Sequence, residues 1–499
     1  MRKVVFAGKI LVIGAGGVSR CVLPLLLKHL SMPTENITVI DMADCREALS
    51  TVLVEGVQFI RERIMQETYG EQLAKYVTAG DMIIDLAWNI DTVELLTWCH
   101  EHGVTYVNTS TELWDPYIKT TKVTDRTLYV RHMAIRKMIA GWKVKGPTAI
   151  LEHGANPGLV SHFTKMGLLD IAKKVIGKKG KNGNGTPSAN GTGTANGNGA
   201  QREAIEQAVA SQSFNVLAQL LGVKVIHISE IDTQVSNEPN TYDEFLNTWS
   251  VEGFFEEGTS PAEMGWGTHE QVLPPDAHQH ETGPKNQICL SRFGINTFVR
   301  SRVPSDEILG MVVRHGEAFT MSDALTVWDK DKAIYRPTVH YAYSPCLAAV
   351  ASLHALRANH YKMQGKFRIM NDDIVSGTDE LGVLIMGHEF KSWWTGSILG
   401  IEEANKLVPD QNATTLQVAA AVLGAVIWMI KNPKEGVLVP DQLPHTEILK
   451  VASPYLGDVV SIPLDWYPND FNAVEPSEQG APFVNDASAW QFNRFLWKF

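Results

Sequence analysis

Three residues in the middle of the chain have the types that hold a polyvalent cation. Glu230 lies near the end of the apolar run 223–232, Trp249 falls within the next run at 245–251, and Glu257 stands just beyond it. Taking an ammonium ion out of water costs several kcal/mol unless it is paired, and a desolvated indole face can add about 2 kcal/mol per cation. A pocket for a dicationic amine therefore needs several acceptor groups, which these side chains could supply. Composition alone favours a plainer reading, a solvated acidic face with Trp249 as a core residue, because residues 230–270 are dense in other acids.

A second signal lies near the start, in Leu11-Val12-Ile13-Gly14-Ala15-Gly16-Gly17-Val18-Ser19-Arg20. A short apolar strand, a glycine-rich turn and an amphipathic helix form the first half of a dinucleotide-binding βαβ unit. Gly14 permits the tight turn, Gly16 admits a pyrophosphate, and the free N–H groups of Ala15, Gly17, Val18 and Ser19 favour its charge. Asp41 closes the following apolar run and is suited to an adenosine ribose, which favours NAD over NADP. Ser19 stands at the third glycine position, and Asp41 follows Gly14 by 27 residues, against the usual interval of about 20. The bland alternative is a glycine turn that binds nothing; strand, turn, helix, strand and acid in that order favour the cofactor.

The elements that must position these residues follow from periodicity. Apolar runs at 82–87, 104–108 and 148–151 alternate with helical patterns at 68–77 and 91–101, and 57–60 is a short strand candidate. That rhythm predicts an α/β, Rossmann-type doubly wound parallel sheet. Ligands on such sheets sit beyond the carboxyl ends of the strands, which places Asn89, Asp91, Thr109 and Glu112 near the cofactor. For Asp91, a helix cap explains the residue equally well. Gly154-Ala155-Asn156-Pro157-Gly158 is a turn at the domain boundary; it either projects Asn156 toward the nicotinamide or uses Asn156 to stabilise itself.

The expected domains are 1–155 and 156–499. The second is a mixed α/β domain with a largely antiparallel sheet, because strand patterns at 223–232, 245–251, 287–292, 297–303 and 308–314 follow one another without helices between them. A helix is expected around 414–431, and whether it packs back on the first domain is open. Residues 178–200 are a Gly-Asn-Thr repeat without large apolar side chains, which predicts a mobile surface insertion. Its deletion is expected to leave turnover largely intact in a steady-state assay; collapse of folding or activity would refute that.

The charge of −11 argues against a nucleic-acid partner and is compatible with a cationic one. Five well-separated cysteines with no CxxC pair or metal-ligand spacing fit a reducing cytoplasm, and no metal is expected. The longest apolar stretch, 418–430, suits a buried helix and not a bilayer span.

A family resemblance adds to these readings. Gly154-Ala155-Asn156-Pro157-Gly158, His227-Ile228-Ser229-Glu230-Ile231-Asp232-Thr233-Gln234, Asn247-Thr248-Trp249-Ser250-Val251-Glu252-Gly253-Phe254 and Gly265-Trp266-Gly267-Thr268-His269-Glu270 resemble the bacterial-type homospermidine synthases. Tyr335-Arg336-Pro337-Thr338, His340-Tyr341-Ala342-Tyr343, Asp379-Glu380-Leu381-Gly382-Val383-Leu384, Asp410-Gln411-Asn412-Ala413-Thr414 and Pro454-Tyr455-Leu456-Gly457 extend the likeness over nearly the whole chain. It departs at Ser344, Leu347, Ala348 and His162. The resemblance implies an NAD-dependent aminobutyl transfer in a homodimer, with putrescine and other polyamines as partners and no membrane. Two putrescine molecules, or spermidine as donor, give homospermidine through imine and Schiff-base intermediates, with ammonia lost and the hydride returned. By matching position, Glu230, Glu257, Asn156, His315 and Asp379 line the amine site, Trp249 faces the cationic intermediate, and Glu112 lies near the inner entrance. Without the resemblance, His315 reads as a core histidine and Asp379 as a turn residue. A saccharopine dehydrogenase-like or carboxynorspermidine-type oxidoreductase with net NAD(P)H use competes, as does a non-catalytic polyamine-binding sensor.

Overall fold

The computed structural model describes residues 3–117, 122–177, 196–468 and 484–497. Six strands in the first third, β1 (Ile10–Ile13), β2 (Ile37–Asp41), β3 (Gln58–Arg61), β4 (Met82–Asp85), β5 (Thr105–Asn108) and β6 (Ala149–Ile150), form one parallel sheet. The order β6-β5-β4-β1-β2-β3 reverses direction at β1, so the carboxyl end of β1 opens the ligand crevice of a doubly wound fold. All four residues of β1, β4 and β5 are buried, as strands covered on both faces must be. A seventh strand comes from far along the chain: Val437–Leu438 pairs with β6, so the first sheet is not made by residues 1–155 alone.

Two helices matter for the crevice, α1 (Gly17–His29) directly after β1 and α2 (Thr92–His102) after β4. The apolar side of α1, with Cys21, Val22, Leu25 and Leu26 buried, rests on the helix Ala413–Lys431. That helix is apolar enough to span a bilayer by composition, yet 83% of its most apolar window is buried inside the protein. It fills the space between the parallel sheet and a second, ten-stranded sheet.

The second sheet is mixed. Its centre is β7 (Val225–Asp232), paired in parallel with β8 (Thr338–Ser344) and antiparallel with β9 (Thr378–Met386). Alternation sends Ile228, Glu230, Tyr341, Tyr343, Leu381 and Val383 to the inner face, where the apolar members share one core with α1. The other face packs Ala342, Leu384 and Trp394 under Trp490, Phe492 and Phe495 from the chain's end.

Two sequence expectations change. Residues 245–251 are not one strand: Glu244–Asn247 is extended, Trp249 lies in the turn that follows, and Val251 opens the helix Val251–Gly258, capped by Ser250. A purely local pattern of apolar residues cannot separate a strand–turn–helix from a longer strand. The expected insertion at 178–200 lies outside the described residues up to 195, and from Asn196 the backbone is helical to Ala210.

Candidate active site

The glycine turn is built for a close approach. Gly14 has a φ of +92°, and a Cβ there would lie 2.9 Å from the Leu86 carbonyl oxygen after β4, so only glycine fits. Gly16 faces open space, and α1 begins with no side-chain cap and no acid in its first turn. Its first N–H groups, those of Gly17, Val18 and Ser19, are left for an anion. The Ala15 N–H is different: it donates to Asp41 Oδ2 at 2.8 Å, while Asp41 Oδ1 accepts from the Ala43 N–H at 2.8 Å. Asp41 thus ties the turn to the end of β2 and keeps further lone pairs for a ribose. Ser19 turns its hydroxyl onto the Gly14 carbonyl, 2.5 Å away, and braces the loop from beneath. The open turn, the uncapped start of α1 and the braced Asp41 together fit a dinucleotide.

From that turn a cavity of about 160 Å³ runs between the two sheets. Val18, Ala87, Trp88 and Thr109 wall its nucleotide end; Glu112, Asn156, Glu230, Trp249, Glu257 and Tyr341 wall the other. Asn156 is delivered by the expected turn, whose Gly158 has a φ of +135° and no room for a Cβ against Gly154. Its amide donates to Glu230 Oε2 and, at 2.9 Å, to the Tyr341 hydroxyl, which also donates to Glu230 Oε2. Burial pushes the Glu230 carboxyl up to about 8, against the lowering pull of those two donors. Burial likewise raises Glu257 to about 8 and lifts Glu112. The Trp249 indole N–H donates to the Tyr343 hydroxyl at 3.0 Å, and its ring packs on Phe254.

A narrow extension of about 20 Å³ continues past Glu112, Pro157 and Glu257 to Glu152, Arg314 and His315. Both arginines nearby are engaged: Arg131 donates to Glu256 Oε1 at 2.8 Å and Arg314 pairs with Glu256 Oε2. Burial alone would raise Glu256, yet Arg314 and Arg131 outweigh it and hold the carboxyl low. Burial pushes His315 down to about 4, so its imidazole is neutral at ordinary pH.

Not every expected residue meets the cavity. Asp91 Oδ1 accepts from the N–H groups of Val93 and Glu94 and caps α2, and Asp91 is not among the residues that line the cavity. Asp91→Ala is therefore expected to lower stability by about 1 kcal/mol in a urea melt while leaving NAD affinity unchanged. Asn89, with a φ of 60°, follows Trp88 but does not line the cavity. Asp379 lies behind the wall, its Oδ2 accepting from Thr414 Oγ1. Burial and then the neighbouring Glu230 and Asp232 raise its carboxyl well above the usual range.

Trp88 and Tyr341 line the cavity, and Tyr343 supports Trp249 from behind, though the residue patterns above do not single them out. The signal for the tyrosines is their i, i+2 spacing in β8, whose register sets Tyr343 opposite Glu230. Trp88 follows a strand end beside the expected cofactor groove, the kind of position that carries ligands. Thr414 and Gln417 come from the distant helix Ala413–Lys431, and nothing local marks them.

Comparison with known proteins supplies the context. Residues 10–150 match the saccharopine dehydrogenase NADP binding domain, and residues 154–462 match the saccharopine dehydrogenase C-terminal domain. Homospermidine synthase of Blastochloris viridis is 38% identical, covering 98% of this chain and 97% of its own. The homospermidine synthase of Mesorhizobium japonicum is 35% identical, covering 98% and 96%. Among solved structures, homospermidine synthase from Legionella pneumophila in complex with NAD superposes with a TM-score of 0.83 at 34% identity, over 100% of this chain and 99% of that one.

Proposed function

This chain belongs to the homospermidine synthase family, and from that premise we propose how its cavity performs an NAD-dependent aminobutyl transfer. The observation that carries the reading is the cavity's charge. Among the described residues its main chamber is lined by Glu112, Glu230 and Glu257 and by no lysine, arginine or histidine. A dicationic diamine meets that demand, whereas a substrate carboxylate would want a free arginine, and Arg131 and Arg314 are both held by Glu256.

Two putrescine molecules become homospermidine and ammonia. When bound, NAD accepts a hydride from the first amine carbon and returns it to the final Schiff base, so none is consumed. Glu230 takes the proton that the substrate ammonium must lose before its carbon can release a hydride; Asn156 and Tyr341 hold the carboxylate in place. The resulting imine is attacked by the second diamine and expels ammonia, and the Trp249 face stabilises the cation while that exchange occurs. Glu112 and Glu257 anchor the distal ammonium groups, and the paired sheets exclude water that would hydrolyse the imine. Spermidine serves as an alternative donor, since it carries the same aminobutyl group.

The decisive experiment incubates the protein with putrescine and substoichiometric NAD and follows products by mass spectrometry. Homospermidine and ammonia in many-fold excess over NAD are expected. Stoichiometric NADH accumulation would instead indicate a net oxidoreductase, and binding without product a sensor. A cytoplasmic homodimer completes the proposal. The family resemblance and five unpaired cysteines support it, and light scattering on the purified protein tests the dimer.

A further inference from the structure

Behind the amine site lies a group of buried acids that the reaction above does not use. Ser161, on the helix Leu159–Gly177, places its hydroxyl between Glu317 Oε1 and Asp441 Oδ1, the latter at 2.9 Å. A hydroxyl has one proton to donate. It can satisfy one of these carboxyl oxygens, and the other contact is attractive only if that carboxyl is itself protonated and donates into the serine oxygen. The unit Glu317–Ser161–Asp441 therefore holds one proton between two acids.

Both ends of the unit lead somewhere. Glu317 Oε2 is buried without a hydrogen-bond partner and lies 3.9 Å from His315 Nδ1, just beyond hydrogen-bond reach, with the Asn156 backbone also facing the His315 ring. His315 lines the extension of the amine cavity and sets its ring edge against Tyr341, the donor to Glu230, with centroids 5.0 Å apart. At the other end, Asp441 is only part-buried on the turn Pro440–Gln442, with Lys165 beside it, although its Oδ2 is itself enclosed without a hydrogen-bond partner. Glu152 faces Glu317 and His315 from the loop after β6, and His445 faces Lys165. Burial, reinforced by the facing acid Asp441, raises Glu317 well above the carboxylate range, so it favours the protonated form, and burial brings Lys165 down to about 8.

We propose that His315, Glu317, Ser161 and Asp441 form a proton relay between the amine site and the turn Pro440–Gln442. The proposal rests on the aminobutyl-transfer reading. The substrate ammonium N–H bond breaks and its proton passes to Glu230, then by way of Tyr341, which hydrogen-bonds Glu230 and stands against the His315 ring, to His315 and Glu317. The proton already shared across Ser161 moves on to Asp441 and out by solvent exchange. The path runs in reverse when the Schiff base is reduced and its nitrogen is protonated. No redox equivalent enters or leaves by this route. Glu317 and Asp441 touch no substrate and are positioning residues that act through His315.

The test compares wild type with Glu317→Gln and Ser161→Ala as NAD-bound proteins, reading kcat, the putrescine KM, the pH profile of kcat and the solvent deuterium isotope effect. Glutamine keeps the shape and accepts a hydrogen bond but carries no exchangeable acid proton. Both variants are expected to lose about tenfold or more in kcat with KM within about twofold, and to show a larger isotope effect and a displaced pH profile. Asp441→Asn should reproduce the change, and Glu317→Asp should recover part of it. Unchanged profiles and isotope effects in active variants would overturn the relay alone. A wild type that makes no homospermidine would overturn the functional reading and the relay with it. Should Glu317→Gln fail to fold, Ser161→Ala decides, since it breaks the link while leaving both acids in place.

Discussion

Glu230→Gln is expected to abolish homospermidine formation, lowering kcat by about a thousandfold or more, while NAD still binds. General-base assistance at a reacting centre is worth about a hundred- to ten-thousandfold. Glutamine can accept the bonds from Asn156 and Tyr341 but cannot take a proton from the substrate. The wild type should show a limb of kcat/KM that rises with pH through about 8, because the base works only when ionised; the variant should lack it.

Stability moves the other way. The folded carboxyl titrates at about 8 and the free side chain near 4.5, so the unfolded chain gives up this proton more readily. The cost is absent below the usual carboxylate range, grows as pH climbs toward about 8, and is constant above it. Glu230→Gln, neutral at every pH, is therefore expected to melt above the wild type at pH 8 and to match it near pH 4. A variant with normal turnover, or one that melts lower at pH 8, would remove Glu230 from its assigned role.

Trp249→Ala is expected to cost about thirtyfold to a hundredfold in turnover with little effect on NAD affinity. A desolvated cation–indole contact of about 2 kcal/mol corresponds to roughly thirtyfold in rate, and loss of packing on Phe254 adds to it. Trp249→Phe should be milder, about three- to tenfold, because a phenyl ring keeps part of the quadrupole. It is not silent, since the Tyr343 hydroxyl loses the indole donor. Single-turnover measurements of hydride transfer and product release locate the loss, and equal rates in all three proteins would remove the indole from the mechanism.

Local chemistry made the nucleotide half legible in the amino-acid order. The turn at Gly14 and Gly16, the strand alternation and the acid at Asp41 each depend on neighbours a few residues away, and backbone geometry there is dictated by residue type. The acids and the indole were legible as types only. That Glu230, Glu257, Glu112 and Trp249 share one chamber depends on how two sheets and the helix Ala413–Lys431 close on each other. The perturbed carboxyls and the Ser161-centred pair are likewise products of burial. Proximity and desolvation are sums over contacts distant in the chain, so only the tertiary structure decides them.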